Sequence, residues 1–97
     1  MIRHVALLTW KPGTDDAVIE AARTALQELP AQIPELLDYR VGSDVGIDQG
    51  NSSFAVVGEF ADATGYATYR DHPAHIAAAQ THIVPILAGR AALQYEF

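Results

Sequence analysis

The sequence predicts an α+β domain: one antiparallel sheet of four strands with helices packed on one face. Three observations carry this prediction. Short runs of alternating or continuous apolar residues are separated by longer segments with helical spacing, in the order strand, helix, strand, strand, helix, strand. Ninety-seven residues, 49% of them apolar and 19% charged, are enough for one core and too few for two, so residues 1–97 are expected to form a single domain. The first and third strands are apolar on both faces, whereas one layer of helices covers only one face of a sheet.

Residues 2–10 form a short apolar, β-branched run that Lys11-Pro12-Gly13 stops. Alternation along it places His4, Ala6, Leu8 and Trp10 on one face and Val5, Leu7 and Thr9 on the other. Thr14-Asp15-Asp16 reads as a helix start, with Thr14 as cap and two carboxylates at the positive end of the helix dipole. Val18, Ala22, Ala25, Leu26 and Leu29 then recur at helical spacing, and Pro30 ends the pattern. Residues 37–44 alternate as a second strand. Residues 45–52, with Gly46 and Gly50, form a loop, and residues 53–60 a third strand, so the pair is a hairpin.

Asp62 caps a second helix that carries Tyr66 and Tyr69. The residue before a proline avoids helical angles, so the chain bends at His72-Pro73. Proline suits a first helical position, and a new helix is expected from Pro73 to about Leu87, with Ile76, Ala79, Ile83 and Leu87 as its apolar stripe. Pro85 distorts its last turn, Gly89 ends it, and residues 91–97 close the chain as a fourth strand. The order βαββαβ matches the split βαβ, or ferredoxin-like, motif. The sheet face away from the helices carries Val5, Leu7, Phe54 or Ala55 and their neighbours. Such a face is an association surface, and two copies packed face to face as a dimeric α+β barrel cover it most economically. The chain is therefore expected to be a homodimer through this face.

Composition excludes several function classes. Six basic residues against twelve acidic ones give a net charge of -6. Phosphate neutralisation of a nucleic acid needs clustered Lys and Arg, and an anionic membrane surface needs the same. Here one lysine and five arginines are scattered. With no cysteine, disulfides, thiolate nucleophiles and cysteine-based zinc sites are excluded. No apolar stretch approaches the length of a membrane span, and the start lacks a cleavage-like site. The expected location is cytoplasmic.

The densest polar cluster is Tyr69-Arg70-Asp71-His72-Pro73-Ala74-His75. If Pro73 opens a helix, His75 lies in its first turn, where the positive helix end favours the neutral imidazole that a general base requires. Tyr69 closes the preceding helix and is placed to face the same space. His4 shares its strand face with Trp10. Each has a plainer reading: His72 as a cap bonded to backbone, His4 as a satisfied core histidine, Trp10 as packing or as an apolar pocket wall, His82 as a part-exposed helix residue, and Tyr39, Tyr66 and Tyr95 as core aromatics with wet hydroxyls. Metal binding by His72 and His75 with His4 or Asp71 is the weaker chemical alternative. No glycine-rich phosphate loop and no serine nucleophile elbow is present.

The opening Ile2-Arg3-His4-Val5-Ala6-Leu7-Leu8 resembles the first-strand signature of the stress-responsive A/B barrel domain (Dabb) family. Tyr69-Arg70-Asp71-His72-Pro73-Ala74-His75 is similar to that family's aromatic residue followed by His-Pro-x-His. Pro85 and the closing Tyr95-Glu96-Phe97 fit its tail. The resemblance covers nearly the whole chain. It implies a ferredoxin-like subunit and a dimeric barrel. The family includes plant stress-induced proteins and a plant polyketide cyclase that carries out an aldol cyclisation. Tyr69 and His75 fall at that cyclase's catalytic positions, and His4 at a strand-one histidine that shapes its site. Arg70-Asp71 replaces an apolar pair there, and the cyclase's pocket lining has no residue-by-residue match. The resemblance thus carries over a chemical capability and not a substrate.

These readings converge on a small cofactor-free acid–base enzyme acting on a carbonyl substrate. His75 removes a proton beside the carbonyl, Tyr69 hydrogen-bonds the oxyanion, and His4, His72 and Trp10 contact the ligand. The reaction is a polyketide cyclase-like aldol cyclisation or a related lyase or isomerase step. The alternative is a non-catalytic, stress-responsive ligand-binding dimer. A heme-degrading monooxygenase also uses a similar dimeric barrel, but the sequence offers no clear heme-ligand context. The expected partners are a second copy of the chain and a small molecule, with no cofactor, metal, nucleic acid or membrane.

Overall fold

The computed structural model describes all of residues 1–97. The chain runs β1 (Ile2–Trp10), α1 (Asp16–Gln27), a 3-10 turn (Leu29–Ala31), β2 (Asp38–Ser43), β3 (Phe54–Phe60), α2 (Ala63–Asp71), α3 (Pro73–Ala78) and β4 (Leu87–Glu96). The four strands form one antiparallel sheet in the order β2-β3-β1-β4. The three helices cover one face, giving the ferredoxin-like α+β fold that the order of elements predicts.

Strand alternation decides what each sheet face carries. In β1, His4, Ala6, Leu8 and Trp10 all point under the helices and are buried. On β3, Gly58, Val56 and Phe54 lie opposite His4, Ala6 and Leu8, and Phe60 lies opposite Ile2; all four β3 residues are buried. Gly58 has no freedom to grow, because a Cβ there would come within 3.3 Å of the Phe60 and Tyr39 rings. The helical layer closes this core with Ala22, Leu26, Leu29, Ile33, Leu36, Tyr69 and Ile83.

The opposite face follows the complementary register. Leu7 pairs across to Ala55 and Ala91, and Val5 to Val57 and Leu93. Ala55, not Phe54, is therefore the outward residue of β3. In the single chain Leu7, Leu93 and Phe97 remain 41%, 56% and 51% exposed. The expected apolar sheet back is thus present and uncovered by the subunit's own helices.

Several local expectations need correction. Asp15, not Thr14, occupies the cap position of α1, and the Thr14 hydroxyl instead donates to the Lys11 carbonyl. Ile19 packs on the core while Val18 is exposed, because the inward stripe runs through Ile19, Ala22 and Leu26 at spacings of three and four residues, which places Val18 to one side of it. Asp62 does cap α2, its Oδ1 accepting from the Gly65 amide at 2.8 Å.

The expected helix from Pro73 to Leu87 is split. After α3 the chain forms a π turn (Ala79–Ile83) and a 3-10 turn (Val84–Ile86). Pro85 has no amide hydrogen and its ring clashes with a preceding carbonyl, so an α-helix cannot pass through it. The wide turn also shifts the phase of the stripe: Ile83 is buried, but Ile76 is exposed. β4 begins at Leu87, four residues ahead of the expected start, because Leu87 pairs with Trp10 and Gly89 with Thr9. Gly89 is a strand residue at an irregular register, not a helix end. No helix is long and apolar enough to cross a membrane.

Candidate functional site

The bend at His72-Pro73 builds the site. α2 stops because His72 takes an extended conformation (φ -67, ψ 134), as a residue before proline must. Its ring is then consumed locally: Nδ1 accepts from the Ala74 amide at 3.0 Å and caps α3. α3 next turns His75 back over the end of α2, where its Nδ1 lies 3.0 Å from the Arg70 carbonyl oxygen. A carbonyl can only accept, so Nδ1 carries a proton, and in the neutral tautomer the lone pair lies on Nε2.

Tyr69 sits beside this ring, with centroids 4.3 Å apart and planes tilted by 33°. Its side chain is buried, and its hydroxyl is 2.9 Å from the Tyr39 hydroxyl. One phenol of the pair donates to the other. When Tyr39 donates, the Tyr69 proton is free for a ligand. Burial raises the Tyr69 pKa to about 12, so it stays a neutral donor across the physiological range. Burial also pushes the Tyr39 phenol up, with the neighbouring Tyr69 adding to the effect.

His4 comes from the sheet below, with its ring 6.1 Å from Tyr69 and 5.0 Å from Tyr66. The Gln94 side-chain amide lies 2.8 Å from its Nδ1. With that amide donating, the imidazole keeps its proton on Nε2. Phe60 supports the group from beneath, its ring 5.3 Å from Tyr69 and 5.6 Å from Tyr66.

These groups open on one cavity of about 210 Å³. His4, Tyr39, Tyr66, Tyr69, Arg70, His75 and Arg90 provide its polar wall, and Leu8, Leu26, Val56 and Ile83 are among its apolar residues. Of the sequence-derived candidates, His75, Tyr69 and His4 converge on the cavity. His72 and Trp10 do not reach it: His72 is occupied as a helix cap, and Trp10 packs against Phe54 with centroids 5.4 Å apart. His82 is half-buried and lies outside the cavity. No three His, Asp or Glu side chains are gathered closely enough to hold a metal ion.

The family model for the stress responsive A/B barrel domain (Dabb) matches residues 2–97. The chain belongs to the Dabb family. A dimeric ferredoxin-like protein of unknown function from Thermobifida fusca is similar to this Dabb chain, with 44% identity and a TM-score of 0.91, covering 99% of this chain and 90% of that one. A dimeric ferredoxin-like protein of unknown function from Bacteroides fragilis shares 25% identity at a TM-score of 0.87, covering 99% and 95%. The hydroxynitrile lyase of Passiflora edulis shares the fold at a TM-score of 0.84 and 18% identity, covering 97% and 90%. No curated protein sequence matches the chain.

Two cavity residues of this Dabb chain carry no clear signal in the sequence. Tyr39 alternates correctly on β2 but pairs with Tyr69 only because the fold brings them together across 30 residues. The sequence pattern places Arg90 in the connection after the last helix, whereas the early start of β4 turns it onto the inner sheet face opposite Leu8. The side chains of Arg70 and Asp71 pair with each other at 2.9 Å at the surface, and it is the Arg70 backbone that serves the site.

His4 supplies a pH prediction. Burial, with smaller contributions from Arg90 and His75, depresses its pKa from 6.5 to about 4. Above pH 6.5 both folded and unfolded chains keep this ring neutral. Between 6.5 and about 4 the unfolded chain binds a proton that the buried ring refuses, so stability falls as pH falls, by about 3 kcal/mol across the window. Urea midpoints measured over this range should fall less steeply in His4→Asn than in the native sequence. Parallel curves for the two would show that His4 does not carry the effect.

Proposed function

We propose that this Dabb chain is an acid–base enzyme that acts on a small carbonyl compound with its own side chains. The observation that carries the proposal is the His75 hydrogen bond to the Arg70 carbonyl. It fixes the orientation and tautomer of the ring, so that Nε2 is the nitrogen that can take up a proton beside the Tyr69 phenol at the cavity. In the proposed step Nε2 takes a proton from the carbon beside the carbonyl. The C–H electron pair moves into the enolate, and its oxygen accepts a hydrogen bond from Tyr69. The enolate carbon then bonds to a second carbonyl carbon of the same molecule while that carbonyl's π pair moves onto its oxygen, which takes the proton back from His75 and completes an aldol cyclisation. In the isomerase variant His75 instead returns the proton to the enolate at another position. Run in reverse, the carbon–carbon step is a lyase reaction, and the shared fold of the Passiflora lyase is compatible with that class.

Simple ketones suffice for a direct test. The protein should accelerate deuterium exchange beside the carbonyl in a panel of small ketones and β-diketones, followed by proton NMR in heavy water. Binding without any acceleration would favour a ligand-binding dimer over an enzyme.

The same proposal places the chain in a homodimer through the outer sheet face. The exposed Leu7, Leu93 and Phe97 on that face and the dimeric descriptions of the Thermobifida and Bacteroides relatives support it. Leu93→Asp puts a charge on a face that is already solvent-exposed in the single subunit, so it should spare the fold and break the dimer. Light scattering during size-exclusion chromatography should give a dimer for the native sequence and a monomer for the variant. A native sequence that runs as a monomer at micromolar concentration would remove the dimer from the reading.

A further inference from the structure

The charge pattern of the cavity is the reverse of the molecule's. Twelve acidic residues outnumber six basic ones in the chain, yet the cavity wall contains two arginines and no Asp or Glu. One of them, Arg70, is neutralised by Asp71. The other, Arg90, is different. Arg3, Arg23, Arg40 and Arg70 each hold a carboxylate, and Arg90 alone of the five arginines has neither an ion pair nor a side-chain hydrogen bond. It projects from β4, opposite Leu8, on the same sheet face as His4 and Gln94. In an acidic protein an arginine left free of every carboxylate, at the wall of a largely apolar cavity, is equipped to bind an anion. Its planar fork matches a carboxylate bidentately. The cavity volume of about 210 Å³ is below the roughly 300–1,000 Å³ of pockets that take drug-sized ligands, so the ligand is small.

We propose that the cavity takes a small keto acid, with Arg90 binding the substrate carboxylate while the ketone lies between His75 and Tyr69. This rests on the acid–base reading of the site and narrows its substrate class. Arg90 acts here as a specificity residue. Its guanidinium selects molecules that carry a negative charge beyond the reacting carbonyl and sets which carbon is presented to His75 Nε2.

The test uses a matched pair of stable probes: levulinate, a keto acid, and 2,5-hexanedione, in which a methyl ketone replaces the carboxylate. Binding is followed by NMR shifts of the Tyr69 and His75 ring signals, and proton exchange by deuterium incorporation beside the ketone. The native protein should bind levulinate at least about tenfold more tightly than the dione, as a charge-assisted hydrogen bond implies. Arg90→Gln should erase that preference without weakening dione binding, and Arg90→Lys should restore part of it. Equal affinity for the two probes, no measurable levulinate binding, or a preference that survives Arg90→Gln would each overturn the proposal. The acid–base reading fails separately. A charge preference that depends on Arg90, with no accelerated exchange, leaves this inference standing and removes the catalytic role of His75. Accelerated exchange without charge preference does the opposite.

Discussion

His75→Asn should lower catalysed proton exchange beside the carbonyl by about 10²–10⁴-fold, the range for loss of a positioned general base. Asparagine is the informative replacement. Its amide nitrogen takes the place of the imidazole Nδ1 and can still donate to the Arg70 carbonyl, so the local hydrogen bond survives. It has no nitrogen that accepts a proton where Nε2 stood. His75 is only half-buried and bonds to backbone, so folding stability should change by no more than about 0.5 kcal/mol. Tyr69→Phe is the companion variant. Losing one hydrogen-bond donor to an oxyanion costs about 10²–10³-fold, and here it also leaves the Tyr39 hydroxyl without its partner. The double variant should be little worse than His75→Asn alone, because groups that act on one transition state do not contribute independently. Exchange rates by NMR, with thermal unfolding measured in parallel, decide the matter. Full exchange in a folded His75→Asn protein would end the assignment of His75 as the base.

Phe60→Ala should produce the largest loss of stability in the chain, about 3–5 kcal/mol by the usual cost of emptying a buried aromatic position. Phe60 is completely buried at the end of β3. Its ring meets Tyr66 and Tyr69 from α2, and a neighbouring glycine, Gly58, leaves room for it on the sheet. A domain of this size has a total stability of about 5–15 kcal/mol, so the loss is a large part of the whole. Denaturant unfolding should show a much lower midpoint with an unchanged slope. Phe60→Leu refills most of the volume and should recover much of the loss, which separates packing from an unspecific effect. The same substitution reports on the site. With the aromatic ring gone, Tyr69 keeps its bond to Tyr39 but loses the ring that packs against it from below, so the leucine variant should exchange protons more slowly than its stability alone explains. A Phe60→Ala protein with an unaltered midpoint would show that the ring is not the support of the core.

The legible parts of this molecule are those where one residue's chemistry acts on its immediate neighbours. The alternation from His4 to Trp10 sorts the β1 side chains onto their two faces correctly, because the strand period is a property of the backbone. The break at His72-Pro73 is equally readable, since proline restricts the residue before it whatever surrounds it. Both follow from covalent geometry. The helix from Pro73 is less readable. Pro85 announces a distortion, but the π turn at Ala79–Ile83 and the early entry into β4 depend on pairing with Trp10 and Thr9, at the other end of the chain.

Sequence alone thus determined the order of elements, the apolar sheet back and the placing of His75 and Tyr69 around a proline bend. Tertiary structure alone decided that His4 joins them while Trp10 and His72 do not, that Tyr39 bonds to Tyr69, and that Arg90 stands at the cavity without a counter-ion. The physical reason is range. Backbone torsions and side-chain periodicity act over a few residues, whereas the partner of a buried hydroxyl or a free guanidinium is set by which strands lie side by side once the sheet has formed.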